Sequence, residues 1–144
     1  MPPPSSTKIR RYPSDIVQQI AVGEMANQGP EGMKLFYDTL VNRAAGKRSL
    51  EEVATEPAQF SAFNRPDLTN FYLQQPVEVR TLANQLYQQA QQPDYQPTYP
   101  TKYYVTKDLW KNRNAPSSPS WLQNVTKVGE VGSHVLLAEK SSRR

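Results

Sequence analysis

Cysteine is absent from the 144 residues and His134 is the single histidine. A cysteine nucleophile is therefore excluded, and a zinc site built from His and Cys has almost nothing to draw on. A Ser-His-Asp arrangement would have to use His134. Carboxylate chemistry is the simplest catalytic option left, and no metal or cofactor is expected. Long hydrophobic runs are missing too. Mean hydropathy is −0.74 and no stretch approaches the roughly 20 apolar residues of a spanning helix. No membrane insertion is expected. The opening MPPPSSTKIRRYPSD carries charges but no apolar segment behind them, so it does not read as a secretory signal.

What is present suits one domain with one modest core, since hydrophobic residues make up 37% of the chain. The net charge of +4 favours a polyanionic partner, either nucleic acid or an anionic cell wall. Much of that charge lies near the ends, at Arg10, Arg11, Arg143 and Arg144. The chain shows no nucleic-acid-binding motif, so nucleic acid is not the expected partner.

The chain is organised around residues 14–45, where two helical patterns meet at Asn27-Gln28-Gly29-Pro30. In the first, Ser14 is the expected N-cap, with Asp15 in the first turn. Ile16, Val17, Ile20 and Ala21 form an apolar stripe, and Glu24 continues it. Burial and the negative end of the helix dipole both disfavour a charged carboxylate there. A carboxyl that keeps its proton can act as a general acid. The plainer alternative is a helix-end glutamate that reaches solvent.

Pro30 suits the start of the second helix, whose stripe is Met33, Phe36, Tyr37, Leu40, Val41 and Ala44, with Gly46 as its stop. Asn42 and Arg43 at its end face either a cleft or solvent. Ser49 to Glu52 spells a capping box opening a short helix. Gln59-Phe60-Ser61-Ala62-Phe63-Asn64 reads as a loop that lines a polar groove or is pinned to the core by its two phenylalanines. Pro76 starts another helix, with Val79, Leu82, Ala83, Leu86, Tyr87 and Ala90 on its apolar face. The proline-rich residues 91–100 make an extended connection. Lys102 to Val105 is a strand candidate, Thr106 a cap for a helical turn, and residues 125–138 a hairpin. Helices followed by a small sheet make the fold class α+β. Residues 1–13 read as an extended, basic, Pro-rich arm, 14–138 as the domain and 139–144 as a basic tail.

Several short pieces, in order, carry a resemblance. They are Ile20-Ala21-Val22-Gly23-Glu24, Pro30-Glu31-Gly32, Val41-Asn42-Arg43, Gln59-Phe60-Ser61, Tyr103-Tyr104, Pro119-Ser120-Trp121 and Val131-Gly132-Ser133-His134-Val135. Together they resemble the cell wall hydrolase family that includes the spore-cortex-lytic enzymes, with relatives in phages. Two departures stand out. Gln28 occupies the place where the family often has a second acid. Leu136 replaces an aromatic and bears on packing.

The resemblance implies a lysozyme-like fold, a mostly helical lobe with a small antiparallel sheet toward the C-terminus. It implies cleavage of peptidoglycan between N-acetylmuramic acid and N-acetylglucosamine, in lytic transglycosylase fashion, with Glu24 as the catalytic acid. Glu31 is the acid available as a second carboxyl if the reaction is a hydrolysis. Gln59, Ser61, Tyr103, Tyr104 and Trp121 are the expected saccharide-binding residues. Tyr103 and Trp121 could equally pack in the core, and His134 is expected to be structural, bonded within the sheet. Peptidoglycan strands are the expected partner, with other virion proteins in a phage setting. There the protein would be made in the host cytoplasm and reach the wall after phage-mediated release, or be carried in the virion. The reading from another class is a structural virion component that keeps the fold with little activity.

Overall fold

In the computed structural model the described residues are 12–57 and 59–140. Most of the expected N-terminal arm and the last four residues of the expected tail lie outside them. The chain is α+β, and its helices come first. They are α1 (Ile16–Met25), α2 (Gly29–Ala44), α3 (Leu50–Ala54), α4 (Leu68–Leu73) and α5 (Val77–Ala90). A three-stranded sheet follows, from β1 (Tyr103–Thr106), β2 (Val125–Val131) and β3 (His134–Glu139), with α6 (Lys107–Lys111) after β1. Strand order is β1-β3-β2 and both pairings are antiparallel. Lys140 N–H still bonds to Asn124 O, so the sheet lobe runs slightly past the expected boundary at 138.

The helix α1 is the axis of the helical lobe. Every residue from Ile16 to Val22 is buried, and α2, α4 and α5 pack around it. The single-stripe reading was too narrow, because a helix enclosed on all sides is apolar nearly all round. Its buried glutamines show how the rest is accommodated. Gln19 Nε2 donates to Asp15 Oδ1 at 2.9 Å, and its Oε1 accepts from Thr69 at 2.9 Å. Asp15, not Ser14, takes the N-cap position, and its side chain makes that link instead of a cap bond. The Asn27–Pro30 break is a short 3-10 turn, Ala26–Gln28, closed by Gly29 with φ of 76°.

The helix α2 buries Met33, Phe36, Tyr37, Leu40 and Ala44 as the periodicity requires, while Val41 is only partly covered. Another stripe of α2, at spacings of three and four, faces the proline-rich connection. Glu31 accepts from the Tyr99 hydroxyl, and Lys34 Nζ donates to Tyr95 Oη at 2.9 Å. The fully buried Asp38 accepts from the Tyr95 hydroxyl and from the backbone N–H groups of Thr98 (2.8 Å) and Tyr99 (3.0 Å). Asn42 Nδ2 donates to the Tyr99 and Thr101 carbonyls, each at 2.8 Å. The connection has no regular structure, yet its backbone is held at four points by one helix.

The capping box at Ser49 is complete, with reciprocal bonds to Glu52 at 2.9 and 3.0 Å. Thr106 caps α6 through Leu109 N–H at 3.1 Å. On α5 only Ala83 and Ala90 of the expected face are fully buried, and the larger side chains lie against the core edge.

Gln28, singled out in the sequence as a departure from the resemblance, has a structural task. Its Oε1 accepts from Ser133 N–H at 3.1 Å, tying the β2–β3 turn to the helical lobe. Gly132 beside it has φ of 56°, and a Cβ there would stand 2.5 Å from Gln28 Oε1. Gly132→Ala should therefore strain the backbone and push Gln28 off the turn. The expected loss is about 1–2 kcal/mol, from the left-handed conformation and one displaced hydrogen bond. Urea titration of both proteins checks it; equal midpoints would contradict it.

Candidate active site

The site begins where the last turn of α1 meets the 3-10 turn Ser61–Asn64. The approach is close because residue 23 is glycine. A Cβ there would lie 2.7 Å from Ala62 Cβ and 3.0 Å from Leu68 Cδ1. This contact brings Ala62 N–H within 2.9 Å of Glu24 Oε2, and the Ser61 hydroxyl donates to the same oxygen at 3.3 Å. From the other side, β1 supplies the Tyr104 hydroxyl, which donates to Glu24 Oε1 at 3.0 Å. The carboxyl is half-buried and fixed from both lobes. Burial above all, and then the facing Glu24 charge, push the Tyr104 phenol well above its ordinary range, so it remains a proton donor at neutral pH.

Glu24 opens onto a hollow of about 330 Å³ lined by Arg43, Gln59, Phe60, Ser61, Asn64 and Tyr104. No second acid lines it. A neighbouring hollow of about 450 Å³ shares Arg43, Gln59 and Tyr104, and adds Tyr103, Trp121 and Glu139. The shared residues make the two hollows one groove across both lobes. Six of the seven residues expected at the site thus meet: Glu24, Gln59, Ser61, Tyr103, Tyr104 and Trp121. Trp121 is 41% exposed at the groove wall, with the Tyr103 ring tilted beside it at 5.8 Å, while Tyr103 lines the groove and also packs against the core of the sheet lobe.

The seventh, Glu31, lines neither hollow. It stands on the α2 stripe that holds the connection, bonded to Tyr99. The phenol of Tyr99 is pushed up to about 12, first by that bond and then by burial. Phe60 and Phe63 divide the roles expected of them. Phe60 is buried against Phe36 at 5.1 Å while contributing to the groove wall, and Phe63 packs edge-on to Tyr12. Asn42 turns to the connection, and Arg43 turns to the groove.

His134 departs from the reading of a histidine bonded within the sheet. It lies in β3, but its Nδ1 is buried without a hydrogen-bond partner. The ring stands edge-on, at 5.2 Å, to Tyr104, whose hydroxyl donates to Glu24. Burial lowers its pKa, and the attraction of Glu24 opposes this only in part. The neutral imidazole is thus the folded form, while the unfolded chain takes a proton near the ordinary value of about 6.5. Stability from this group is present above that value and is lost as pH falls toward the lower folded pKa. Between pH 7.5 and 5 the wild type should therefore lose more melting temperature than His134→Gln. Parallel losses would show that His134 does not contribute.

Asn64 falls in the loop expected to line a polar groove but was not singled out as a site residue, and Glu139 was not marked at all. Asn64 ends a turn too short for periodicity, and Glu139 enters only through strand register. Among the described residues no group of His, Asp or Glu side chains has the arrangement of a metal site, and no helix is long and apolar enough to cross a membrane. No family model, curated protein or solved structure matches the chain.

Proposed function

We propose that this chain cleaves the glycan strands of peptidoglycan between N-acetylmuramic acid and N-acetylglucosamine, acting as a lysozyme-like lytic transglycosylase. The observation that carries the reading is a single carboxyl, Glu24, held by donors from two lobes and facing an open groove of hydroxyl, amide and aromatic groups. Sugars offer both hydroxyls and apolar ring faces, and Trp121, Tyr103, Gln59 and Asn64 suit both.

The chemistry needs one acid. Protonated Glu24 gives its proton to the glycosidic oxygen as the bond to C1 breaks. The carboxylate then takes the proton from the muramic O6, and O6 closes on C1 to leave a 1,6-anhydro end. Two-carboxylate hydrolysis would need a second acid across the scissile bond to activate water. The hollow at Glu24 has none, Gln28 is engaged with the hairpin turn, and Glu31 is turned away. Ser61 and Tyr104 keep Glu24 oriented, and their hydroxyls can accept as well as donate, so they serve both of its protonation states.

Digestion of purified peptidoglycan followed by mass spectrometry tests the proposal. Anhydro-muramic ends are the expected product. Reducing muramic ends would replace the route by hydrolysis, with Glu139 and Glu31 the acids to substitute next. No cleavage of any wall type would favour a scaffold.

A further inference from the structure

Beyond Gln59 and Tyr103 the groove changes character. A third hollow, of about 340 Å³, is lined by Arg43, Arg48, Lys102, Glu56, Gln59 and Tyr103. It shares Arg43 and Gln59 with the hollow at Glu24, so it is a branch of the same groove. Three cations face one carboxylate in it. Glu56 is taken by Arg48, and Glu139 belongs to the neighbouring hollow beside Trp121.

Arg43 is held as a receptor would be. Its Nε donates to the Lys102 carbonyl at 2.6 Å and one Nη to Gln59 Oε1 at 2.8 Å. The guanidinium lies over the rings of Phe60 and Tyr103, 5.2 and 4.9 Å from their centres. Among the described residues no acceptor takes its other Nη. Partial burial lowers its pKa, a sign that the charge is poorly hydrated. Arginine nonetheless stays protonated, so a poorly hydrated fork of N–H donors faces the branch. A neutral sugar does not need such a fork, but a carboxylate matches it in charge and shape.

We infer that this branch holds a carboxylate of the substrate, carried on the lactyl substituent of muramic acid. The inference rests on the glycan reading above and adds a selectivity: the enzyme prefers glycan strands that bear these carboxylates over neutral strands of the same sugars. The carboxylate is either that of a free lactyl group or one on an attached peptide stem.

The test is equilibrium binding of the full chain, as Glu24→Gln so that strands stay intact, to four probes. These are peptide-free glycan strands, stem-bearing strands, and each of the two after its carboxylates are converted to neutral amides. One charge-assisted contact should make a carboxylated probe bind tighter than its amide on the order of tenfold. The probe pair that shows the preference identifies the free lactyl group or the stem as the source. Arg43→Gln should bring the ratio toward one, Arg48→Gln combined with Lys102→Gln should lower it, and Glu56→Gln should widen it. Equal binding of carboxylated and amidated strands would overturn the inference and leave the glycan reading intact. An undiminished ratio in Arg43→Gln would overturn the placement in this branch. Binding of none of the four would remove both readings.

Discussion

Glu24→Gln should lower the clearing rate of a wall suspension by about a hundredfold to ten-thousandfold, the contribution of a positioned general acid. The amide keeps the size of the carboxyl and can still accept from Ala62 N–H and one hydroxyl. It cannot deliver an acidic proton or take one from the muramic O6. The amide oxygen takes the place of Oε2, which accepts from both Ala62 N–H and Ser61, so the NH2 faces Tyr104. The Tyr104 hydroxyl can reverse its bond and accept, so the fold should survive. Melting curves of the two proteins should therefore nearly coincide while activities separate. Full activity in a folded Glu24→Gln protein would remove Glu24 from the mechanism. Comparable loss of melting temperature and activity would make its role structural.

Asp38→Ala should be the most destabilising single change away from the groove. It leaves three donors without their acceptor, two of them backbone N–H groups on a connection that has no other ladder to join. Removing one partner from a buried, charged hydrogen-bond set costs about 3–5 kcal/mol. For a domain of this size that is roughly 10 °C of melting temperature. Asp38→Asn should be distinctly milder. Its carbonyl can serve the two N–H groups while its amide donates to the Tyr95 oxygen. Thermal melts of the three proteins test the order wild type, Asn, Ala. An alanine variant as stable as wild type would mean that the connection is held elsewhere.

How far the sequence was legible follows physical lines. The helix α2 could be read because its apolar residues recur at helical spacing against one core face. Two caps could be read because Ser49 and Thr106 satisfy backbone groups within their own turn. The helix α4 could not. It spans six residues, its preceding Asp67 pairs with Arg65 instead of capping, and packing of Leu68 and Tyr72 decides it. Glu24 was visible as an acid on an apolar helix, but its partners were not: Ser61 and Tyr104 were expected at the saccharide, and Ala62 was not singled out. Ala62 and Tyr104 reach it across the fold. Gln28, Asp38 and Arg43 carried no local signal of their roles, since each acts on a segment distant in sequence. Glu31 illustrates the same limit from the other side, because the direction of its side chain depends on where the connection passes.

The division of the chain into helices first and sheet second bears on how the site is made. Glu24, Ser61 and Ala62 belong to the first lobe, while Tyr104 lies 80 residues after Glu24 and Trp121 later still. Tyr104 is held in β1 by pairing with β3, opposite Leu136. A nascent chain therefore completes its helical lobe well before its site. Glu24 waits without its third donor, the Tyr104 hydroxyl, and without the far wall of the groove, until β3 closes the sheet. Contacts so separated in sequence form late and slowly. The carboxyl and the far wall of its groove thus lie some 80 residues apart along the chain, and the order of synthesis separates them in the same way.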